Sequence, residues 1–371
     1  MKFLPEPIRR MARESVTQPL SSPVASNAPA YLESVGEHKL GWRAFRREIV
    51  YRLSRQERYR IERLCDGCRR GLWMYFGVPQ IGDALMDLAP RSLFADAGVE
   101  VDLVTDPNLT DLFRSDPWFA KVLPDPSAIG NATYDFVIVP SHKHRSLKMK
   151  QRHLPQHPWF SLHARFTGPE FHRGEFSARR IADFLALAPT ANALAWHARQ
   201  KLRTPDEQDV GLRLPSLAPN TIALALGGVD TRRRYSHWLE VVRQLTLAGF
   251  GDLVLLGSEN GISAAREIVQ HGEFSGRIHD FVGKTRLSAC QLLLSRCALA
   301  IAADGGLMHL AVAAGTPVVS LFQSNILPQW RLSAVDRGLA IVSPTQNVSD
   351  IAPLQIAEAA RKALAASAAG T

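Results

Sequence analysis

Ala303-Asp304-Gly305-Gly306-Leu307-Met308-His309-Leu310-Ala311, then Gly315-Thr316-Pro317-Val318-Val319-Ser320-Leu321-Phe322, is the stretch on which the fold turns. Residues 299–302 form a short apolar run suited to a buried parallel strand. Asp304, Gly305 and Gly306 break it, and the two glycines let backbone approach a ligand closely. Residues 307–314 read as a helix whose first N–H groups point into the turn, where phosphate is attracted. Gly315 stops the helix, Pro317 follows, and residues 318–322 form the next strand. Taken alone, the unit is equally a plain strand–turn–helix with a capping Asp.

The rest of the chain narrows the choice. A length of 371 residues predicts two domains, and 46% hydrophobic residues suffice for two cores. No apolar run reaches the length of a membrane span. The N-terminus lacks the apolar stretch of a secretory signal. Four cysteines argue against a disulfide scaffold and fit a reducing cytoplasm. The net charge of +9 is concentrated. Residues 43–63 carry eight Arg against three Glu, and residues 142–180 carry nine Lys or Arg against two Glu, with six of the twelve His. Such stretches suit a solvated face, an anionic acceptor or an anionic membrane surface. No nucleic-acid-binding motif accompanies them, so no nucleic-acid partner is expected.

Residues 1–40, rich in Pro, Ser and Ala, are expected to be a disordered leader. Residues 41–70 are expected to form a basic amphipathic extension, with Trp42, Phe45, Ile49, Leu53, Ile61 and Leu64 roughly at helical spacing. That helix could lie on a membrane or pack on the core. Cys65-Asp66-Gly67-Cys68 lacks nearby partners for a metal site and precedes a strand, unlike a redox motif that follows one.

Strand–helix alternation starts at Gly71. Residues 72–78, 99–104 and 134–139 read as strands of a first domain over 71–203. A linker is expected over 204–220, and a second domain over 221–371, with strands at 221–226, 252–256, 277–282, 299–302 and 318–322. The pattern predicts an α/β fold of two doubly wound, Rossmann-like parallel sheets. Ligands bind at the strand ends of such sheets, and two such edges across a cleft constitute the GT-B architecture.

From about residue 71 the chain resembles glycosyltransferase family 9, the ADP-heptose heptosyltransferases of lipopolysaccharide core synthesis. The resemblance is carried by Gln80-Ile81-Gly82-Asp83-Ala84-Leu85 with Pro90 downstream, by Tyr134-Asp135-Phe136-Val137-Ile138, by Val254-Leu255-Leu256-Gly257-Ser258, by Gly283-Lys284-Thr285-Arg286-Leu287 and above all by the opening stretch. Departures stand beside it. The family usually has Ser or Thr where Gly305 stands, Gly-Pro-Thr where Gln323-Ser324-Asn325 follow Phe322, and Trp-Pro where Tyr235-Ser236 occur. The first 70 residues have no counterpart in its short form.

A transfer from a nucleotide sugar must deprotonate the acceptor hydroxyl and stabilise the departing diphosphate. The resemblance makes Asp83 the general base of an inverting transfer; an Asp in a first helical turn also simply suits the helix dipole. Gly228, Thr231, Arg232 and Arg234, in Gly227-Gly228-Val229-Asp230-Thr231-Arg232-Arg233-Arg234, offer close backbone approach and bidentate donors to phosphate. Arg234 sits where the family places a cation. Asp304, Gly305, Gly306 and His309 are expected around the diphosphate and sugar. Glu259 is a candidate for ribose hydroxyls and Thr285 for the adenine pocket. Lys143, Arg145 and Lys148 follow the first-domain strand and are acceptor candidates, suited to a Kdo-lipid A core or another acidic glycan. No clustered Asp/Glu motif for a metal occurs, so metal-independent transfer from ADP-heptose, with no further cofactor, is expected. The implied setting is the cytoplasm, with peripheral contact with the inner membrane left open. Two alternatives remain: a family 9 relative with another nucleotide sugar or a protein or capsule acceptor, and a non-catalytic nucleotide-sugar-binding protein.

Overall fold

The computed structural model describes residues 5–168, 170–336 and 339–369. In chain order, its first elements are helices α1 (Glu6–Val16), α2 (Ala28–Val35) and α3 (Glu37–Leu53). Then come strand β1 (Arg70–Tyr75), α4 (Ile81–Asp87), α5 (Ser92–Asp96), β2 (Glu100–Thr105), α6 (Pro107–Phe113) and β3 (Val122–Leu123). These are followed by β4 (Phe136–Val139), α7 (His144–His153), β5 (Trp159–Ser161), α8 (Arg173–Phe184) and α9 (Ala191–Ala198). After α10 (Glu207–Val210) run β6 (Ile222–Leu226), α11 (Trp238–Leu247), β7 (Leu253–Gly257), α12 (Ile262–His271) and β8 (Ile278–Asp280). The chain closes with α13 (Leu287–Ser295), β9 (Leu299–Ala303), α14 (Gly306–Ala313), β10 (Val318–Phe322), β11 (Ala340–Val342) and α15 (Pro353–Ala369).

Two compact units result, one of residues up to Pro79 with Met86–Arg199, the other of Gln80–Leu85 with Gln200–Thr371. The first holds a sheet of order β3-β2-β1-β4-β5, with every recorded pairing parallel. The second holds a parallel sheet of order β11-β10-β9-β6-β7-β8. Read from β8, this is the 3-2-1-4-5-6 order of a dinucleotide-binding fold, whose direction reverses between β6 and β9. In the first sheet the reversal falls between β1 and β4. Both sheets are buried on both faces, which is why runs such as Leu253-Val254-Leu255-Leu256 are continuous rather than alternating.

The sequence readings missed β3, β5 and β11, which are two or three residues long and lie toward the sheet edges. Residues 204–220 are not a separate linker. They pack on the second unit, where Ala218 N–H donates to Asp252 and Arg277 donates to the Ser216 carbonyl. Burial alone would raise the Asp252 carboxyl, but Arg277, two backbone N–H groups and His279 hold it well below the usual range.

The largest correction concerns residues 1–40, whose described part is folded. Ile8 and Ala12 of α1 are buried, and α1 crosses α3 where a Cβ on Gly41 would sit 2.5 Å from the Ile8 carbonyl oxygen. Val24 and Ala28 join Phe166, Phe171 and Phe176 in a small core. Gln18 clasps both the N–H and the carbonyl of Val24, at 2.8 and 2.9 Å. Arg180 donates to the carbonyls of Pro19, Ser161 and Leu162, tying this segment to the end of β5. In α3, Leu40, Gly41 and Tyr51 are buried, whereas Trp42, Ile49 and Leu53 are exposed. Cys65 and Cys68 form a disulfide just before β1, contrary to the expectation of reduced cysteines. The turn brings their Cα atoms to 5.6 Å, within reach of that bond.

Candidate functional site

In the second unit, the direction change between β6 and β9 brings two sequence candidates side by side, the loop after β6 and the turn before α14. Gly227 and Gly228 both have positive φ, 85° and 144°. At Gly227 the reason is steric, since a Cβ would lie 2.2 Å from Asn260 Oδ1. Asn260 receives the Gly228 N–H and donates to the Gly228 carbonyl, at 3.2 and 3.0 Å, so it fixes the loop. Arg232 turns back onto Asp230 and Gln346, and Arg234 Nε donates to the Gly228 carbonyl. Thr231 opens a short 3-10 turn and is exposed.

Asp304 is 3% exposed. Its carboxylate stands 3.2 Å from Arg233 Nη1, 3.6 Å from Arg331 Nε and 3.8 Å from His309 Nε2. The carboxylate thus faces both Arg233 and Arg331. Arg233 Nε also donates to Gln323 Oε1 at 3.1 Å, and Gln323 in turn donates to the Gln346 carbonyl. Arg233 lay unselected within the arginine run. Arg331, in the connection beyond β10, carried no motif.

Gly305 has φ 179°, an extended backbone open to any residue, and a Cβ there would meet only the Ala303 oxygen at 3.6 Å. Gly306 is the tight position, with Ile81 Cδ1 3.0 Å from its would-be Cβ.

Gln80–Leu85 belongs to this second unit, not to the first as the reading of 71–203 implied. Asp83 lies in the first turn of α4, half-buried. Beside it, a Cβ on Gly82 would fall 2.3 Å from His309 Cδ2. The Asp83 turn thus lies directly on the α14 imidazole. His309 is 3% exposed, and its Nδ1 pairs with Gln200 Oε1 at 2.8 Å. Gln200 also donates to the Arg331 carbonyl at 2.8 Å, linking the imidazole to the second cation.

Glu259 is exposed after β7. Thr285, after β8, contacts Cys290 Sγ at 3.1 Å and the Phe281 carbonyl at 3.4 Å. Both sit at the same strand ends as the β6 loop, farther along the sheet. In the first unit, Lys143 precedes α7, and Arg145 and Lys148 lie on it, all three exposed. Arg145 donates to the Gly77 carbonyl after β1, and Asp106 accepts the N–H groups of Gly77 and Val78. Among the described residues no group of three or more His, Cys, Asp or Glu is arranged to hold a metal. No described helix is long and apolar enough to cross a membrane.

Two doubly wound sheets define the GT-B fold class, and comparisons agree. The family model for glycosyltransferase family 9 (heptosyltransferase) matches residues 190–349. Lipopolysaccharide heptosyltransferase 2 of Salmonella typhimurium is 31% identical over 97 residues, 26% of this chain and 28% of the relative. That match therefore spans little more than a quarter of the curated relative. The structure of Escherichia coli ADP-heptose LPS heptosyltransferase II aligns with TM-score 0.63 at 18% identity, covering 81% of this chain and 99% of that one. Escherichia coli heptosyltransferase WaaC with ADP aligns with TM-score 0.58 at 15% identity, covering 79% and 99%. The chain is thus similar to glycosyltransferase family 9 over residues 190–349.

Proposed function

We propose that the protein transfers a heptose from ADP-heptose to a hydroxyl of an anionic glycan or glycolipid of the lipopolysaccharide core type, with inversion and without a metal. The observation that carries this reading is the Asp83 turn packed on His309, beside the Arg233–Asp304–Arg331 group at the sheet's reversal. Asp83 takes the proton of the acceptor hydroxyl as its oxygen attacks the anomeric carbon. The bond from that carbon to the diphosphate oxygen breaks, and ADP departs with the electron pair. Arg233, Arg331 and the first N–H groups of α14 stabilise the developing charge. Arg232 and Arg234 shape the loop that approaches the phosphates. Glu259 and Thr285 suit the ribose and base sides.

Lys143, Arg145 and Lys148 are proposed to meet the acceptor's acidic groups. Trp42, Arg46, Ile49 and Leu53, exposed along one side of α3, suit peripheral contact with an anionic membrane surface, on the cytoplasmic face of the inner membrane. The two relatives are named for ADP-heptose and for bound ADP, which supports the donor. Gln323, bonded to Arg233 where the family has Gly-Pro-Thr, favours a second reading in which the transferred sugar differs.

Purified protein incubated with ADP-heptose and a heptose-free core acceptor should give a product heavier by one heptose, and Asp83→Asn should abolish it while ADP still binds. Transfer only from another nucleotide sugar would sink the heptose assignment, and full activity in Asp83→Asn would sink the base.

A further inference from the structure

We propose that the helical segment before β1 completes a pocket for an acidic sugar, carboxylated or phosphorylated, with the acid group at Arg47 and Lys143 and a sugar hydroxyl on His142. A cavity of about 240 Å³ lies within the first unit, walled by α1, α3 and the loops after β4 and β5. That is somewhat below the roughly 300–1,000 Å³ of sites for drug-sized ligands, which limits the occupant to about one sugar residue. Its position at the end of β4, beside the sheet's reversal, is where ligands of such sheets bind. The walls from α1 and α3 belong to the segment that has no counterpart in the family's short form.

Charge fixes one end of the ligand. Of the cations lining the cavity, Arg10 pairs with Glu14 at 3.6 Å, and Arg52 and Arg165 both pair with Glu48 at 2.8 Å. Arg47 is half-buried with no carboxylate within ion-pair distance among the described residues. Burial and the neighbouring Arg43 both work against its charge. An anion beside it would relieve that cost.

His142 fixes the other end. It is 4% exposed, and neither ring nitrogen has a hydrogen-bond partner among the described residues. Its ring stacks on Tyr51, with centroids 4.7 Å apart and planes 9° from parallel. Burial first, then the charges of Arg60, Arg165 and Arg180, push its pKa down to about 3. At neutral pH it therefore offers one N–H donor and one bare acceptor nitrogen, the complement of a hydroxyl. Leaving both unmet in a buried site is costly. A ligand with an acid and a neighbouring hydroxyl satisfies both ends.

This assignment rests on the transfer reading only in naming the ligand as part of the acceptor, so its test is binding, not turnover. The full chain is titrated by calorimetry with a 2-keto sugar acid, a hexose phosphate and a neutral hexose, with ADP as control. One of the two acids should bind and the neutral sugar should not, and whichever acid binds identifies the source of the anion. Arg47→Ala should weaken that binding about tenfold or more. His142→Phe, which keeps the stack on Tyr51, should do the same. ADP affinity should be unchanged in both variants, which also shows that they are folded. Binding of neither acid, equal binding of the neutral sugar, or unchanged acid affinity in both variants would overturn the pocket. Loss of heptose transfer with acid binding intact would count against the transfer reading alone.

Discussion

At the scale of single residues, three glycines near the proposed donor site separate steric need from habit. Gly305 faces open space, with only one backbone oxygen at 3.6 Å, whereas Gly82 and Gly306 are pressed against His309 and Ile81. Gly305→Ser should therefore leave thermal stability within about 0.5 kcal/mol, and ADP-sugar affinity should be maintained or improved by the added hydroxyl. Gly82→Ala should lower kcat/KM steeply, because the methyl group displaces either the His309 ring or the turn bearing Asp83. Comparable kinetics for the two variants would contradict this division. Asp83 and His309 were singled out because each stands in a short motif that carries the family resemblance. Arg331, Gln200 and Asn260 were not, since each reaches the site from a distant segment and repeats no pattern.

At the scale of elements, α3 shows how the same periodicity can be read inside out. The spacing of Trp42, Ile49 and Leu53 is helical, as expected, yet these are the exposed residues, and the buried contacts run through Leu40, Gly41 and Tyr51. Gly41 is buried because α1 needs its missing side chain, a reason invisible until α1 is known to fold. Composition hid α1 itself: Pro5 and Pro7 stand at its start and only Ile8, Ala12 and Ser15 are buried, so no apolar run announces it. The exposed stripe supplies a test. Ile49→Glu with Leu53→Glu should lower cosedimentation with vesicles rich in anionic lipid, without changing the thermal midpoint. Unchanged cosedimentation would remove the case for membrane contact through this helix.

At the scale of the whole molecule, the fold class was readable because parallel strands buried on both faces are continuous apolar runs, and because each is followed by a helix. Of the edge strands, β8 was read within 277–282, whereas β3, β5 and β11, two or three residues long, were not. Two buried charges bear on global stability. Arg91 and Asp116 are fully buried and paired at 2.6 Å, with Arg91 over the Trp118 ring. Asp116→Ala strands the guanidinium and should cost about 3–5 kcal/mol, read from denaturant unfolding.

Lys150 is buried too, donating to Gln56 and to the Pro155 carbonyl, and burial lowers its pKa to about 8. The unfolded chain, with the ordinary lysine value of 10.5, binds that proton more tightly. This residue's contribution to stability should therefore rise with pH between about 8 and 10.5 and be flat below. Lys150→Met should flatten that window in urea titrations, and an unaltered profile would show that burial leaves the amine's pKa unlowered.

The Asp304 arrangement carries a consequence for turnover. Arg233 and Arg331 never wait with their charges bare, because the protein supplies a resident counter-ion. On the proposed transfer, an arriving diphosphate would compete with that carboxylate, and a departing one would hand the cations back to it. Such an exchange would lower the hold on ADP without lowering the charge available while the glycosidic bond is in transit. It should make product release fast in the native chain and slow in Asp304→Asn.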